Sequence, residues 1–120
     1  MINFKIIKLD ATDSTNDWLK EKFLQGNCIE GDLVWVNDQT KGRGQRENQW
    51  ISTPGKNLTF SLFKVFDKLS TRDQFLINCS VTLAIIMALK EINIPDLSLK
   101  WPNDILSGNK KIGGVLIENF

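Results

Sequence analysis

The stretch from Asn37 to Lys56 holds three glycines, one proline and a single aliphatic side chain, Ile51. A segment so poor in aliphatic residues cannot build a core, and its Gly and Pro punctuation reads as a long loop. Loops of this length inside a compact domain are usually functional or disordered, so this is the first place to look for a site. At 120 residues the chain is one small domain's worth at most, with room for one core and not a second. The segments flanking the loop must therefore supply that core.

Those segments divide by hydrophobic period. Residues 2 to 9 alternate around Ile2, Phe4, Ile6 or Ile7, and Leu9 and predict a strand. Ser14 with Asp17 three residues on predicts a helix start; Trp18, Leu19, Phe23 and Leu24 give that helix an apolar side, and Gly26-Asn27 ends it. Leu33 to Val36 is a β-branched and aromatic run expected to be a buried strand. Leu58, Phe60 and Leu62 alternate with Thr59 and Ser61, a strand with one face buried. Ser70 to Asp73 caps a helix expected over about 73–92, apolar nearly all round at Leu83 to Leu89 and hence buried on most sides. Leu97 to Trp101 is a short strand stopped by Pro102, and Ile112 to Ile117 a last one. Strands predominate, with two helices between them, so the expected class is α+β with a mixed, mostly antiparallel sheet and packed helices.

Composition excludes several functions. Apolar residues at 42% and charged residues at 24% argue against disorder, collagen and a disulfide scaffold. There is no histidine, which removes Ser-His-Asp and Cys-His catalysis, imidazole zinc sites and a histidine pH switch. Chemistry must come from lysine, arginine, carboxylates, amides, hydroxyls or backbone. A net charge of +1 offers little long-range attraction for nucleic acid or an anionic membrane. Cys28 and Cys79 have no CxxC spacing, which suits reduced thiols in a cytoplasmic protein. The first residues lack the pattern of a signal peptide, and the longest apolar run, Leu83 to Leu89, is far short of the ~18 residues of a membrane span.

Within the loop, Lys41-Gly42-Arg43-Gly44-Gln45-Arg46 sets two guanidinium groups beside two glycines. Backbone amides freed by glycine can converge on an oxyanion while Arg43 or Arg46 adds a bidentate charge, a phosphate-binding design. It is neither a Walker A loop nor a dinucleotide fingerprint, and a solvated basic loop accounts for it as well. Lys100-Trp101-Pro102-Asn103-Asp104 reads as a polar turn or as a site. Lys111-Ile112-Gly113-Gly114 suggests close approach of a ligand, with a bulge as the alternative. Ser14-Thr15-Asn16 is explained by capping, and also suits a polar, uncharged ligand group. Trp50 is a core or lid aromatic, or a wall against a flat ligand.

Taken in order, these pieces resemble the biotin protein ligase family across essentially the whole chain. They are Asp13-Ser14-Thr15-Asn16, Gln39 with Gly42-Arg43-Gly44, Trp50, Lys100 to Asp104, and Lys111 to Glu118. The resemblance implies a fold similar to the catalytic domain of class II aminoacyl-tRNA synthetases. It also implies activation of biotin with MgATP to biotinyl-5′-adenylate and transfer of biotin to a lysine of a carboxylase's biotin carboxyl carrier domain. In that reading Ser14, Thr15 and Gln39 hold the ureido head of biotin, and Asn16, Gly42 and Trp50 belong to the same pocket. Arg43 binds the adenylate phosphate, with Gly44, Gln45 and Arg46 assisting. Lys111 meets the biotin carboxylate and α-phosphate, Asn103 and Asp104 serve ATP, with Asp104 toward Mg²⁺, and Gly114 lets the ligand lie against backbone. Gln45 and Glu47 depart from an arginine and a glycine common in the family.

The missing histidine fits such a reaction, because a carboxylate nucleophile is already ionised and needs charge neutralisation and alignment rather than a general base. The resemblance further implies that the 120 residues are the N-terminal portion of the catalytic domain. No helix-turn-helix would precede it, and the family's later glycine-rich segment, helices and small β domain would be absent. No nucleic acid or membrane partner is expected, and a homodimer through an exposed sheet edge is. Two alternatives stay open: a lipoate-type ligase or transferase of the same fold, and a non-catalytic module using Lys41 to Arg46 on phosphates of RNA or a nucleotide.

Overall fold

The computed structural model describes residues 3–68 and 70–120; Ile2, counted above in the first strand, lies outside them. The chain divides into two units, one of Met1–Phe66 with Glu118–Phe120 and the other of Asp67–Ile117.

In the first unit, strand β1 (Lys5–Thr12) leads into helix α1 (Thr15–Leu24) and strand β2 (Asp32–Gln39). β1 and β2 pair in parallel from Lys5↔Asp32 to Thr12↔Gln39, which requires a crossover, and α1 supplies it. The helix starts where the sequence places it: Ser14 is the N-cap, and its Oγ accepts from the Asp17 amide at 3.3 Å. Gly26 follows the C-cap at φ +76°. The buried core is Leu19, Val34 and Val36, with Leu9, Trp18, Cys28 and Phe63 packed against it. Burying each of these aliphatic side chains contributes about 1.5–3 kcal/mol. Phe23, Phe63 and Phe120 form a ring cluster with centroids 5.1–6.1 Å apart, which ties the last residues of the chain onto this unit.

Two expectations change here. The loop after β2 is not structureless. Strands β3 (Gly42–Arg43) and β4 (Gln49–Trp50) form a two-stranded antiparallel ribbon, with Gly42 opposite Trp50. Glycine makes this possible, since a Cβ at position 42 would lie 2.5 Å from the Trp50 carbonyl oxygen. Strand β5 (Thr59–Leu62) also turns the opposite way from the expected one. Ser61 is buried while Phe60 and Leu62 are exposed. The antiparallel register sets Ser61 beside Val34 and Thr59 beside Val36, so the small polar residues share the face that α1 covers.

In the second unit, helix α2 (Thr71–Glu91) precedes an antiparallel meander of strands β6 (Leu97–Lys100), β7 (Asp104–Ser107) and β8 (Lys110–Gly114). α2 begins at a capping box of Ser70 and Asp73. Strand β7 was not anticipated. Its signal is the two-residue Gly108-Asn109 link to β8, with Gly108 at φ +59°, a hairpin pattern. That hairpin shifts β8 to Lys110–Gly114 from the expected 112–117. Ile105 is the buried aliphatic residue of the meander. The expectation that α2 is buried on most sides fails. Thr82 is fully buried, whereas Phe75, Leu76, Leu83 and Met87 are exposed. Within its unit α2 packs on β6, and a four-residue strand cannot cover a 21-residue helix. Arg72–Glu91 is also long and apolar enough to cross a membrane, by length and composition alone. The seven-residue run understated it, because Asn78, Ser80 and Thr82 lower hydropathy without adding charge.

Candidate functional site

The start of α1 is the polar centre of the first unit. Ser14 and Thr15 are 4% exposed each, and Ser61 is 8% exposed. The Thr15 amide donates to Gln39 Oε1 at 2.9 Å, and Thr15 Oγ1 lies 3.2 Å from that oxygen and 2.6 Å from Ser61 Oγ. Ser61 Oγ donates in turn to Asn16 Oδ1, and Asn16 Nδ2 donates to Glu118 Oε1 at 3.0 Å. Buried hydroxyls and amides hold one another here because water does not reach them.

The glycine-rich loop is tied to the same place. The Thr40 amide donates to the Thr12 carbonyl at 3.0 Å and the Lys41 amide to the Asp13 carbonyl at 2.7 Å. Arg43 then reaches back, donating from Nη1 to Asp17 Oδ2 at 2.5 Å and from Nη2 to Glu118 Oε1 at 2.6 Å. The Asp17 hydrogen bond, with Glu118 adding to it, outweighs desolvation and raises the Arg43 guanidinium above its ordinary value. Both carboxylates are partly exposed, so each pair contributes at most about 1 kcal/mol and is exchangeable for another anion. The Gly44 amide donates to the Asn48 carbonyl at 2.8 Å, so in this state it serves the ribbon rather than an oxyanion. Gln45 and Arg46 are exposed at the ribbon's tip, Arg46 with φ +59°. Trp50 is half-buried opposite Gly42.

In the second unit Asn103 is 7% exposed, its amide donating to the Val115 carbonyl while the Val115 amide donates to the Asn103 carbonyl at 3.1 Å. Asp104 opens β7, and its Oδ1 pairs with Lys111 Nζ at 2.9 Å. Gly114 stands opposite Asp104, and a bulge at Ile105/Leu106 leaves Ile112 as the extra residue. The bulge, one of the two readings of Gly113-Gly114, is present, and a Cβ at Gly113 would make ordinary contact with Ile105 at 3.8 Å. The Trp101–Pro102 peptide is cis, the exposed Trp101 ring lies 5.4 Å from Phe75, and Asn78 Nδ2 donates to the Pro102 carbonyl at 2.9 Å.

Of the residues singled out from sequence, the first unit joins Ser14, Thr15, Asn16, Gln39, Gly42 and Arg43 around one helix start. The second joins Asn103, Asp104, Lys111 and Gly114 around one hairpin. Sequence reasoning missed Ser61 and the roles of Asp17 and Glu118. The signal for Ser61 was a hydroxyl at alternating spacing in a strand whose aliphatic neighbours looked like the buried face. Among the described residues no group of three or more Cys, Asp or Glu converges on a metal position. A single carboxylate such as Asp104 suits Mg²⁺ only when nucleotide phosphates complete its shell.

A family model described as the biotin/lipoate A/B protein ligase family matches residues 9–120. The bifunctional ligase/repressor BirA of Escherichia coli K12 is 33% identical over 112 residues, covering 92% of this chain and 33% of that protein. The biotin--[acetyl-CoA-carboxylase] ligase of Mycobacterium tuberculosis is 28% identical, over 89% of this chain and 41% of that protein. Among solved structures, the biotin acetyl coenzyme A carboxylase synthetase of Helicobacter pylori with bound biotinylated ATP superposes with a TM-score of 0.81 at 31% identity, covering 98% of this chain and 56% of the other. The Aquifex aeolicus biotin protein ligase in complex with biotin and ATP gives 0.79 at 36% identity, over 95% and 46%. The chain thus spans about a third of the length of the first curated relatives it matches.

Proposed function

The chain belongs to the biotin/lipoate A/B protein ligase family, and from that membership we propose that it acts in ATP-dependent activation of biotin to biotinyl-5′-adenylate and transfer of the biotinyl group to a lysine of a biotin carboxyl carrier domain. The observation that carries the reading is the cluster of buried Thr15 and Ser61 with half-buried Gln39, directly beside the Arg43 loop. It offers neutral hydrogen-bonding groups for a ureido head and, next to them, an exchangeable guanidinium for a phosphate. The biotin neighbours favour biotin over lipoate as the acid activated.

In this proposal Ser14, Thr15 and Gln39 receive the ureido ring, with Asn16, Gly42 and Trp50 shaping its surroundings. Arg43 leaves Asp17 and Glu118 for the α-phosphate of the adenylate, with Gly44, Gln45 and Arg46 of the ribbon's tip beside it. The exchange is inexpensive because both ion pairs are solvated. Lys111 neutralises the biotin carboxylate and the α-phosphate, and Gly114 gives the ligand backbone to lie against. Asn103 and Asp104 face ATP, Asp104 supplying the protein oxygen to an Mg²⁺ ion that arrives with the nucleotide. Such an ion would add charge neutralisation to that of Arg43 and Lys111. Cys28 and Cys79 are free thiols, in keeping with a cytoplasmic setting; a homodimer through a sheet edge belongs to the same proposal.

Calorimetry with biotin and a non-hydrolysable biotinyl-adenylate mimic tests this. The wild-type chain should bind both, and Arg43→Glu or Lys111→Ala should abolish binding of the adenylate mimic. A folded protein that binds neither compound and binds RNA at low salt would overturn the ligase reading.

A further inference from the structure

Beyond the contacts just assigned, the hydrogen-bond chain from Glu118 to Thr15 has only one consistent direction. A carboxylate only accepts. Glu118 Oε1 takes hydrogen bonds from Asn16 Nδ2 and Arg43 Nη2, so the Asn16 amide presents its NH₂ to Glu118 and turns Oδ1 toward Ser61. Ser61 has a single hydroxyl proton, and an amide oxygen cannot donate, so that proton points at Asn16. The remaining contact, 2.6 Å between Thr15 Oγ1 and Ser61 Oγ, must then be donated by Thr15. This consumes the only proton of the Thr15 hydroxyl. Thr15 Oγ1 is also within donating distance of Gln39 Oε1 at 3.2 Å. One proton cannot serve both contacts, and the 2.6 Å contact to Ser61 takes it over the longer one. The Thr15 backbone amide holds the Gln39 oxygen in place at 2.9 Å. Thr15 is 4% and Ser61 8% exposed, so water does not scramble the order.

We propose that Glu118, Asn16 and Ser61 are positioning residues that set the polarity of this chain, so that Thr15 Oγ1 and Gln39 Oε1 meet a ligand as two adjacent acceptors and select a ring N–H donor over an isosteric acceptor. The proposal rests on the biotin reading for the identity of the ligand, a cyclic urea, but the polarity follows from the protein's own groups. It also gives Glu118 two functions, because the oxygen that orients Asn16 is the one that holds Arg43.

The test compares biotin with its cyclic carbamate analogue, in which a ring oxygen replaces the ureido N–H at nearly unchanged size. Titration calorimetry on the full 120-residue chain should show wild type preferring biotin by roughly a hundredfold, since a site built around hydrogen bonds rejects the reversed partner strongly. Glu118→Gln, whose amide can face Asn16 either way, should narrow that gap to about tenfold, and Ser61→Ala, which frees the Thr15 proton, should do the same. A merely structural role would weaken both ligands equally and leave the ratio unchanged, and an unchanged ratio in both variants overturns the proposal. Ligand-free NMR supplies a readout that does not depend on biotin. The Asn16 side-chain amide protons should show cross-peaks to Glu118, and amide protons found on the Ser61 side overturn the polarity outright. If wild type binds neither ligand while the NMR pattern holds, the biotin reading fails and the polarity stands.

Discussion

Gly42→Ala should open the β3–β4 ribbon without unfolding the protein. The new methyl would lie 2.5 Å from Gln39 Nε2, 2.5 Å from the Trp50 carbonyl oxygen and 3.2 Å from Trp50 Cβ. The Gln39 amide can swing away, but the Trp50 oxygen is backbone. Restoring a contact of about 3.5 Å requires the strands to separate by roughly 1 Å at that pair. Such a shift lengthens ladder hydrogen bonds of about 2.9 Å past the distance at which they hold. The ribbon is only two residue pairs long, and each bond is worth about 1 kcal/mol net. The loss of about 1–3 kcal/mol is therefore nearly all that keeps the ribbon closed. Amide hydrogen exchange reads this directly. The Gly44 amide, bonded to Asn48 at 2.8 Å, should lose about tenfold in protection or more, while those of Val34 and Val36 keep theirs. Gly44→Ala is the control, since its Cβ would meet Asn48 at an ordinary 3.5 Å and should leave exchange unchanged. Gly44 protection within about twofold of wild type in Gly42→Ala would refute the steric argument.

Further outcomes follow from the pair of Lys22 and Asp32. Asp32 is fully buried, its Oδ2 accepting from Lys22 and from the Ile29 amide at 3.2 Å. Lys22→Met should cost about 3–5 kcal/mol in urea titrations, and Lys22→Met/Asp32→Leu should recover most of it; a single-variant cost under about 1 kcal/mol would refute the buried-charge argument. Burial pushes the Asp32 carboxyl up, but the Lys22 and Ile29 hydrogen bonds outweigh it and hold the group below its ordinary value. A lowered carboxyl stabilises the fold above the unfolded-state value and loses that contribution as pH falls through the folded one. Stability measured at high salt should therefore drop below about pH 4, and Asp32→Asn should flatten that limb. Ser70→Ala removes the capping box of α2 and should cost about 1 kcal/mol, measured by thermal denaturation.

Much of the fold was legible in local chemistry. Ser14 and Ser70 mark both helix starts because a hydroxyl that accepts from the third residue on is a local device. The Leu33 to Val36 run marks the central strand because valine at alternate positions suits a covered face. The glycine-rich loop stood out by composition as a candidate site, and the resemblance of five ordered motifs agrees with the family match over residues 9–120. Strand β7 was masked by the turn residues before it, and β3 and β4 by their length, since two-residue strands carry no period.

What the 120 residues determined alone is what depends on near neighbours: helix starts, strand runs, the Arg-bearing loop and the absence of imidazole chemistry. Tertiary structure decided which face of each element is covered. Phe60 and Leu62 have the side chains of a core and lie exposed, while Ser61 is buried, because register with β2 and the cover of α1 set the facing. Tertiary structure also brought Glu118 to Asn16 and Arg43, respectively 102 and 75 residues away in sequence. A carboxylate orients an amide or neutralises a guanidinium only within about 3 Å, and no local pattern encodes a distance between residues that far apart.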